Sequence, residues 1–101
     1  MGIEKKIAPN GEETTIVVGN RFDYSLHSEF RTLYRDIDAN KMRFVVDLAN
    51  TDYIDSSALG MLLLLREAAG GDNAKIKIVN CKPEVKSILR ISNFQNLFTL
   101  Q

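Results

Sequence analysis

Val46-Asp47-Leu48-Ala49-Asn50-Thr51-Asp52-Tyr53-Ile54-Asp55-Ser56-Ser57-Ala58-Leu59-Gly60 is the stretch that decides the fold. It starts inside an apolar, β-branched run, Phe44-Val45-Val46-Asp47-Leu48, whose lack of alternation fits a central strand covered by helices on both faces. A polar loop follows, and then a helix predicted from Ser56 to Ala69, which Gly70-Gly71 closes. Strand, loop and helix in that order form the unit from which parallel sheets are built.

Upstream, Pro9-Asn10-Gly11 is a turn signal between Glu4 to Ala8 and Thr14 to Val18, because proline fixes φ and glycine accepts positive φ. A two-stranded hairpin is expected there. Leu26, Phe30, Leu33 and Ile37 then recur at helical spacing, with Asp23 or Ser25 as the N-cap of a first helix. Downstream, Lys75-Ile76-Lys77-Ile78-Val79 alternates as a strand, and Pro83 opens a third helix whose buried stripe is Val85, Ile88 and Leu89. Glu84 near its start and Arg90 near its end suit the helix dipole. Phe98-Thr99-Leu100 fits a last edge strand.

The order β-β-α-β-α-β-α-β implies an α/β fold, a mixed and largely parallel sheet packed with helices through right-handed crossovers. Loops leaving the carboxyl ends of parallel strands converge, and ligands or partners meet such proteins there. Three loops qualify: Gly19 to Asp23, Ala49 to Ser56, and Asn80 to Lys82.

Composition narrows the function further. At 101 residues the chain holds one hydrophobic core, so residues 1–101 are expected to be one domain. Lysine and arginine together number 13 and balance 13 acids, and they are scattered along the chain, so the footprint of a nucleic-acid binder is missing and polyanions are not expected as partners. Cys81 and His27 are the only residues of their kinds, which leaves no disulfide and no ordinary zinc site, and no metal or cofactor is expected. No apolar run approaches the ~20 residues of a membrane span, and Met1-Gly2-Ile3-Glu4-Lys5-Lys6 lacks the apolar core of a signal peptide. Lys6 also stands where a myristoylation motif at Gly2 needs Ser or Thr. A cytoplasmic protein without direct membrane insertion is expected.

The segment quoted above resembles the STAS domain of anti-sigma-factor antagonists, in which a strand ending in Asp-Leu leads through a short loop to Asp-Ser-Ser-Gly-Leu-Gly at a helix start. Arg21-Phe22-Asp23 and Lys82-Pro83-Glu84-Val85 extend the likeness over most of the chain. The resemblance implies that Ser56, directly after Asp55, is phosphorylated by a GHKL-type serine kinase that doubles as an anti-sigma factor or related switch protein. It implies that a metal-dependent phosphatase of the stage II sporulation type restores the hydroxyl. Unphosphorylated protein would bind the kinase, and phosphorylation would release it. Ala58 departs from the family pattern, which has glycine there, and its methyl is expected to crowd a closely approaching partner.

Apart from the resemblance, Ser56 at a helix start reads first as an ordinary cap, and the residues are compatible with a switch. Ser56 fits an N-cap, where its hydroxyl lies among the unsatisfied donors of the first turn, and that ordinary role competes with modification. A phosphoryl group there would sit beside the positive end of the helix, so the fold should survive while the surface gains charge. Met61 to Leu65 are five apolar residues in a row, more than one buried face accommodates. With Leu59, Leu62, Leu63 and Ala69 facing the sheet, Gly60, Met61 and Leu64 would face outward near Ser56. Asp23, Asp55 and Ser57 complete the expected partner surface, the two aspartates serving foremost as caps. Tyr53 is expected to bury its ring as a loop anchor, and His27 to be a solvated surface residue.

Two other functions compete. A hydrolase using Ser56 or Ser57 would lack the G-x-S-x-G elbow and would have only His27 as an imidazole base, so no catalytic residue is assigned and the chain is read as a non-enzyme. A STAS subunit of a membrane transport complex, serving an anion transporter or a lipid-trafficking ABC ATPase, is the second alternative. Without a spanning segment of its own it would have to dock onto another subunit.

Overall fold

In β2 (Glu13–Val18), Thr14, Ile16 and Val18 are fully buried while Glu13, Thr15 and Val17 between them are only half-buried, the period of two expected of a strand with one covered face. The same alternation runs through β4 (Arg43–Asp47), which buries Phe44 and Val46, and β6 (Ile76–Val79), which buries Ile76 and Ile78. These three strands pair in parallel at the centre of a five-stranded sheet in the computed structural model, which describes residues 2–35 and 41–101. β1 (Ile3–Ile7) adds to β2 as the antiparallel arm of a hairpin, and β7 (Thr99–Leu100) adds in parallel to β6, giving the order β1-β2-β4-β6-β7.

The hairpin turns where Pro9-Asn10-Gly11 predicts. Gly11 takes φ +72°, and the Asn10 side chain accepts the Glu12 amide at 2.9 Å. The helices α1 (His27–Arg35), α2 (Ser56–Ala68) and α3 (Pro83–Ile91) form the crossovers. Each crossover steps the same way along the sheet, so right-handed connections put all three helices on one side. This corrects the expectation for the central strand, which is covered on one face only. Its short run, with Val45 half-buried toward the open side, mimics the unbroken pattern of a strand covered on both.

Between sheet and helices lies a single apolar core that includes Phe22, Phe30, Phe44, Leu62, Leu65 and Leu89, with the Phe22 and Phe30 rings 5.5 Å apart. Pro83 occupies the first turn of α3, and Val85 and Leu89 are buried there, whereas Ile88 is exposed. Ile37 lies outside the described residues. Among the described residues no helix is long and apolar enough to cross a membrane.

Two features escape the hydrophobic pattern. A short turn of 3-10 helix, Tyr24–Leu26, precedes α1. A two-residue parallel ladder joins β3 (Arg21–Phe22) to β5 (Tyr53–Ile54), tying two of the converging loops together.

Among the described residues, the core contains one polar irregularity: Thr14 is fully buried and its Oγ1 has no hydrogen-bond partner. An unsatisfied buried hydroxyl costs about 1–3 kcal/mol, and an apolar group of the same shape removes that cost. Thr14→Val should therefore raise stability by about 1 kcal/mol in urea unfolding, and a loss of that size would contradict the assignment.

Candidate functional site

At the carboxyl ends of the parallel strands the three expected loops do meet. The Asn20 carbonyl accepts the amides of Asp52 and Tyr53 at 2.9 and 3.2 Å, and the Phe22 carbonyl accepts the Asp55 amide at 3.3 Å. Thr51, completely buried, donates its hydroxyl to the Gly19 carbonyl at 2.8 Å. Asn80, at φ +62°, donates its side-chain amide to Asp47 at 3.2 Å, and Lys82 pairs with Asp52. Thr51 and Asn80 carry no motif, and sequence reasoning passes over both; the one available signal is that such small polar residues satisfy loop carbonyls and tolerate left-handed backbone.

Asp55, not Ser56, caps α2. Its backbone is extended, its carboxylate accepts the Ala58 amide at 2.9 Å, and the Ser57 hydroxyl donates to the same oxygen at 2.6 Å. A carboxylate in the cap position takes the charge-assisted bonds, and the next residue is left as the first of the helix with its side chain directed outward. Ser56 is accordingly exposed, and its hydroxyl has no hydrogen bond among the described residues. Ser57 is half-buried and committed to Asp55. Donation by Ser57, foremost, and by the Ala58 and Tyr24 amides holds the Asp55 carboxyl below its ordinary range, against the opposing effects of partial burial and of the Asp23 charge.

Asp23 behaves alike on the neighbouring loop. It caps the 3-10 turn through the Ser25 amide at 3.0 Å, accepts the Ser25 hydroxyl at 2.5 Å and pairs with Arg21 at 3.2 Å. The Ser25 hydroxyl is the largest cause of its lowered pKa. Asp23 is therefore the cap at this helix entry, and Ser25 is its donor. The Arg21 guanidinium lies 4.4 Å from the centre of the Tyr53 ring, a cation–π contact on a side chain that is exposed rather than buried as an anchor. Tyr24 is the most exposed aromatic of the site and stacks on the half-buried His27 at 5.3 Å, a pairing the sequence did not suggest.

The outward face of α2 differs from the expected one. Met61 is 3% exposed and belongs to the core, while Leu63 and Leu64 are 39% and 52% exposed. At about 100° per residue, the buried set Ala58, Met61, Leu62, Leu65 and Ala69 centres opposite Ser56, which leaves Gly60, Leu63, Leu64 and Glu67 on the stripe that Ser56 begins. The phase is set by Ala58, which the cap drives fully into the core. Its methyl consequently points away from any partner, so the expectation that Ala58 crowds an approaching protein is also corrected. A Cβ at Gly60 would meet nothing within 4 Å, so the space over this position is open.

A family model described as "Mlab, STAS domain" matches residues 6–100. The chain is 51% identical over 100 residues to a STAS-domain containing protein of Pseudomonas aeruginosa (strain UCBPP-PA14), covering 99% of each. It is 30% identical over 66 residues to BtrV of Bordetella bronchiseptica, whose name places it among the anti-sigma factor antagonists, covering 65% of this chain and 57% of that protein. The solved structure of the anti-sigma factor antagonist SpoIIAA in its unphosphorylated form superposes with a TM-score of 0.80 at 13% identity, over 98% of this chain and 87% of the other.

The cap makes a pH-dependent prediction. Because the folded Asp55 pKa lies below the unfolded one, its contribution is fully present above the unfolded value, about 4, and is lost as pH falls through the folded value. Asp55→Ala should cost about 0.5–2 kcal/mol near neutral pH, and the gap to the parent should narrow in denaturation curves taken below about pH 4. A gap independent of pH would show that the carboxylate charge is not what caps the helix.

Proposed function

The chain belongs to the STAS domain family, and from that premise we propose that it is a non-catalytic partner switch of the anti-sigma-factor-antagonist type, controlled by phosphorylation of Ser56. The single observation that carries this reading is the division of labour between Asp55 and Ser56: the aspartate does the structural work of the cap, and the adjacent serine is free of it. A hydroxyl that holds no turn together can be modified without loss of the fold.

The unphosphorylated protein docks an anti-sigma factor or comparable GHKL-type serine kinase on the stripe formed by Ser56, Gly60, Leu63 and Leu64, with Tyr24 and Tyr53 on the adjoining loops. Leu63 takes the place that Met61 was expected to fill. In the kinase complex the Ser56 oxygen attacks the terminal phosphorus of ATP, ADP leaves, and the hydroxyl proton passes to a base of the kinase. The modified surface then carries a dianion beside Asp55, and a partner that must desolvate this apolar stripe meets both repulsion and the cost of stripping water from phosphate. A metal-dependent phosphatase of the stage II sporulation type returns the hydroxyl by hydrolysis. Asp23, Asp55 and Ser57 act through their caps, which fix the loops around Ser56. Transcription control is the output proposed, with the cytoplasm as its place.

Gly60 supports a docking role from energetics. A glycine inside a helix costs about 1 kcal/mol relative to alanine, and nothing in this fold needs its small size or its conformational freedom. Gly60→Ala should therefore stabilise the protein by about 0.5–1 kcal/mol while weakening capture of the kinase, and equal capture would remove Gly60 from the interface.

The switch itself is tested by co-purification and mass spectrometry. Ser56→Ala should retain the kinase and take up no phosphate when incubated with it and ATP, and Ser56→Asp should release it. Leu64→Glu should abolish capture with stability within about 0.5 kcal/mol of the parent. Phosphate mapped to another residue, or a kinase held equally by both Ser56 variants, would refute the proposal.

A further inference from the structure

α3 turns a second patterned surface to solvent, on its side away from the core. Val85 and Leu89 are buried, so at about 100° per residue the row Pro83, Ser87 and Ile91 runs along the outward side. Lys86 and Arg90 flank this row on one side, Glu84 and Ile88 on the other. Pro83 and Ser87 are short, so the middle of the face is a groove; with the two cations and Ile91 they line an open concavity of about 490 Å³.

Two features of this face serve no purpose in the fold. Ile91 is 79% exposed and Ile88 39%, and a β-branched residue on the open side of a helix contributes neither packing nor helix propensity. Lys82, Lys86 and Arg90 also form a row at i, i+4 and i+8. Asp52 pairs with Lys82, whereas Lys86 and Arg90 have no ion pair within 4 Å among the described residues.

A groove between two i, i+4 rows is the feature into which a ridge of another helix packs. The matching occupant is an amphipathic helix of a partner protein. Its apolar ridge fills the groove and covers Ile91, and Asp or Glu at i and i+4 on its flank meets Lys86 and Arg90. A second copy of this chain offers no such helix among the described residues, since α1, α2 and α3 carry one acid each, Glu29, Glu67 and Glu84. An anionic membrane is a poorer match, because two cations and two isoleucines fall short of the polybasic cluster and broad apolar face that hold a helix at a lipid surface.

We propose that the outward face of α3 is a docking site for an acidic amphipathic helix of a partner protein, held by Lys86 and Arg90 and by burial of Ile91. The inference goes beyond the reading of Ser56 and stands whether or not that serine is modified, so that a partner held here stays attached while the other surface is switched.

The test is an NMR titration of the isotope-labelled full chain with two synthetic peptides of about 18 residues, long enough to form helix in water. Both carry a leucine ridge; one has Glu at i and i+4 on its flank, and the other has Lys at the same positions. The glutamate peptide should give saturable shifts at the amides from Lys86 to Ile91, with half-saturation at or below about 1 mM, and the lysine peptide should bind at least about tenfold more weakly. Lys86→Glu combined with Arg90→Glu should reverse that preference, a gain of binding that an unfolded variant could not show. Ile91→Ser should weaken the glutamate peptide at least about fivefold with the urea midpoint unchanged. Ser56→Asp should bind both peptides as the parent does, which keeps this result distinguishable from any failure of the phosphorylation switch. Vesicles of phosphatidylglycerol and phosphatidylcholine in equal parts should sediment the parent no better than the double variant. Shifts that do not saturate, a double variant that keeps the parent's preference, or vesicles that sediment the parent and not the double variant would each overturn the proposal.

Discussion

The Asp55 carboxylate is the constraint on which the rest of the site depends. It accepts the Ala58 amide and the Ser57 hydroxyl, and its own amide is held by the Phe22 carbonyl on the neighbouring loop. Three consequences follow from that one residue. The helix start is fixed, so Ala58 enters the core and the phase of α2 is set. The loop between β4 and α2 is joined to the loop after β2, so Tyr24, Tyr53 and Ser56 are displayed together. Ser56 is relieved of capping, so its hydroxyl is available for chemistry.

A second constraint is the one-sided covering of the sheet. Crossovers that all step the same way commit the helices to one face. The loops at the carboxyl ends then build one surface, around Ser56, while the open face at the other end gathers Arg43, Lys75 and Lys77. Charges dispersed through the sequence become neighbours because parallel strands align residues 30 and 32 positions apart.

Much of this was legible in the sequence. The hairpin around Pro9-Asn10-Gly11, the parallel order of β4 and β6, and the opening of α3 at Pro83 follow from turn chemistry and hydrophobic period, which are local properties. The family likeness rested on Asp55-Ser56-Ser57 and is matched by the family model over most of the chain. The orientation of α2 was not legible, because a helix with apolar residues at Ala58, Leu59 and every position from Met61 to Leu65 has no unique apolar face. Its phase is a tertiary property, decided by where the cap sends Ala58. The pattern therefore predicts Met61 outside and Leu63 inside, and the structure exchanges them. The β3–β5 ladder leaves no signal in the sequence for the related reason that two residues are too few to show a period.

On the proposed reading, a phosphoryl group on Ser56 acts at the surface and not through the fold. For charges about 6 Å apart in water, each unit of phosphate charge beside Asp55 would cost about 0.7 kcal/mol, or about 1.4 kcal/mol for a dianion before salt screening. The helix amino terminus offsets about 0.3–1 kcal/mol of that. The remainder is small against the 5–15 kcal/mol that keeps a domain folded. Against a docked partner the balance is different, because there the dianion must lose its water beside Leu63 and Leu64, and burying an unpaired charge costs several kcal/mol. On the proposed reading, an effect too weak to unfold the protein is strong enough to release a partner docked on the exposed apolar stripe that Ser56 begins.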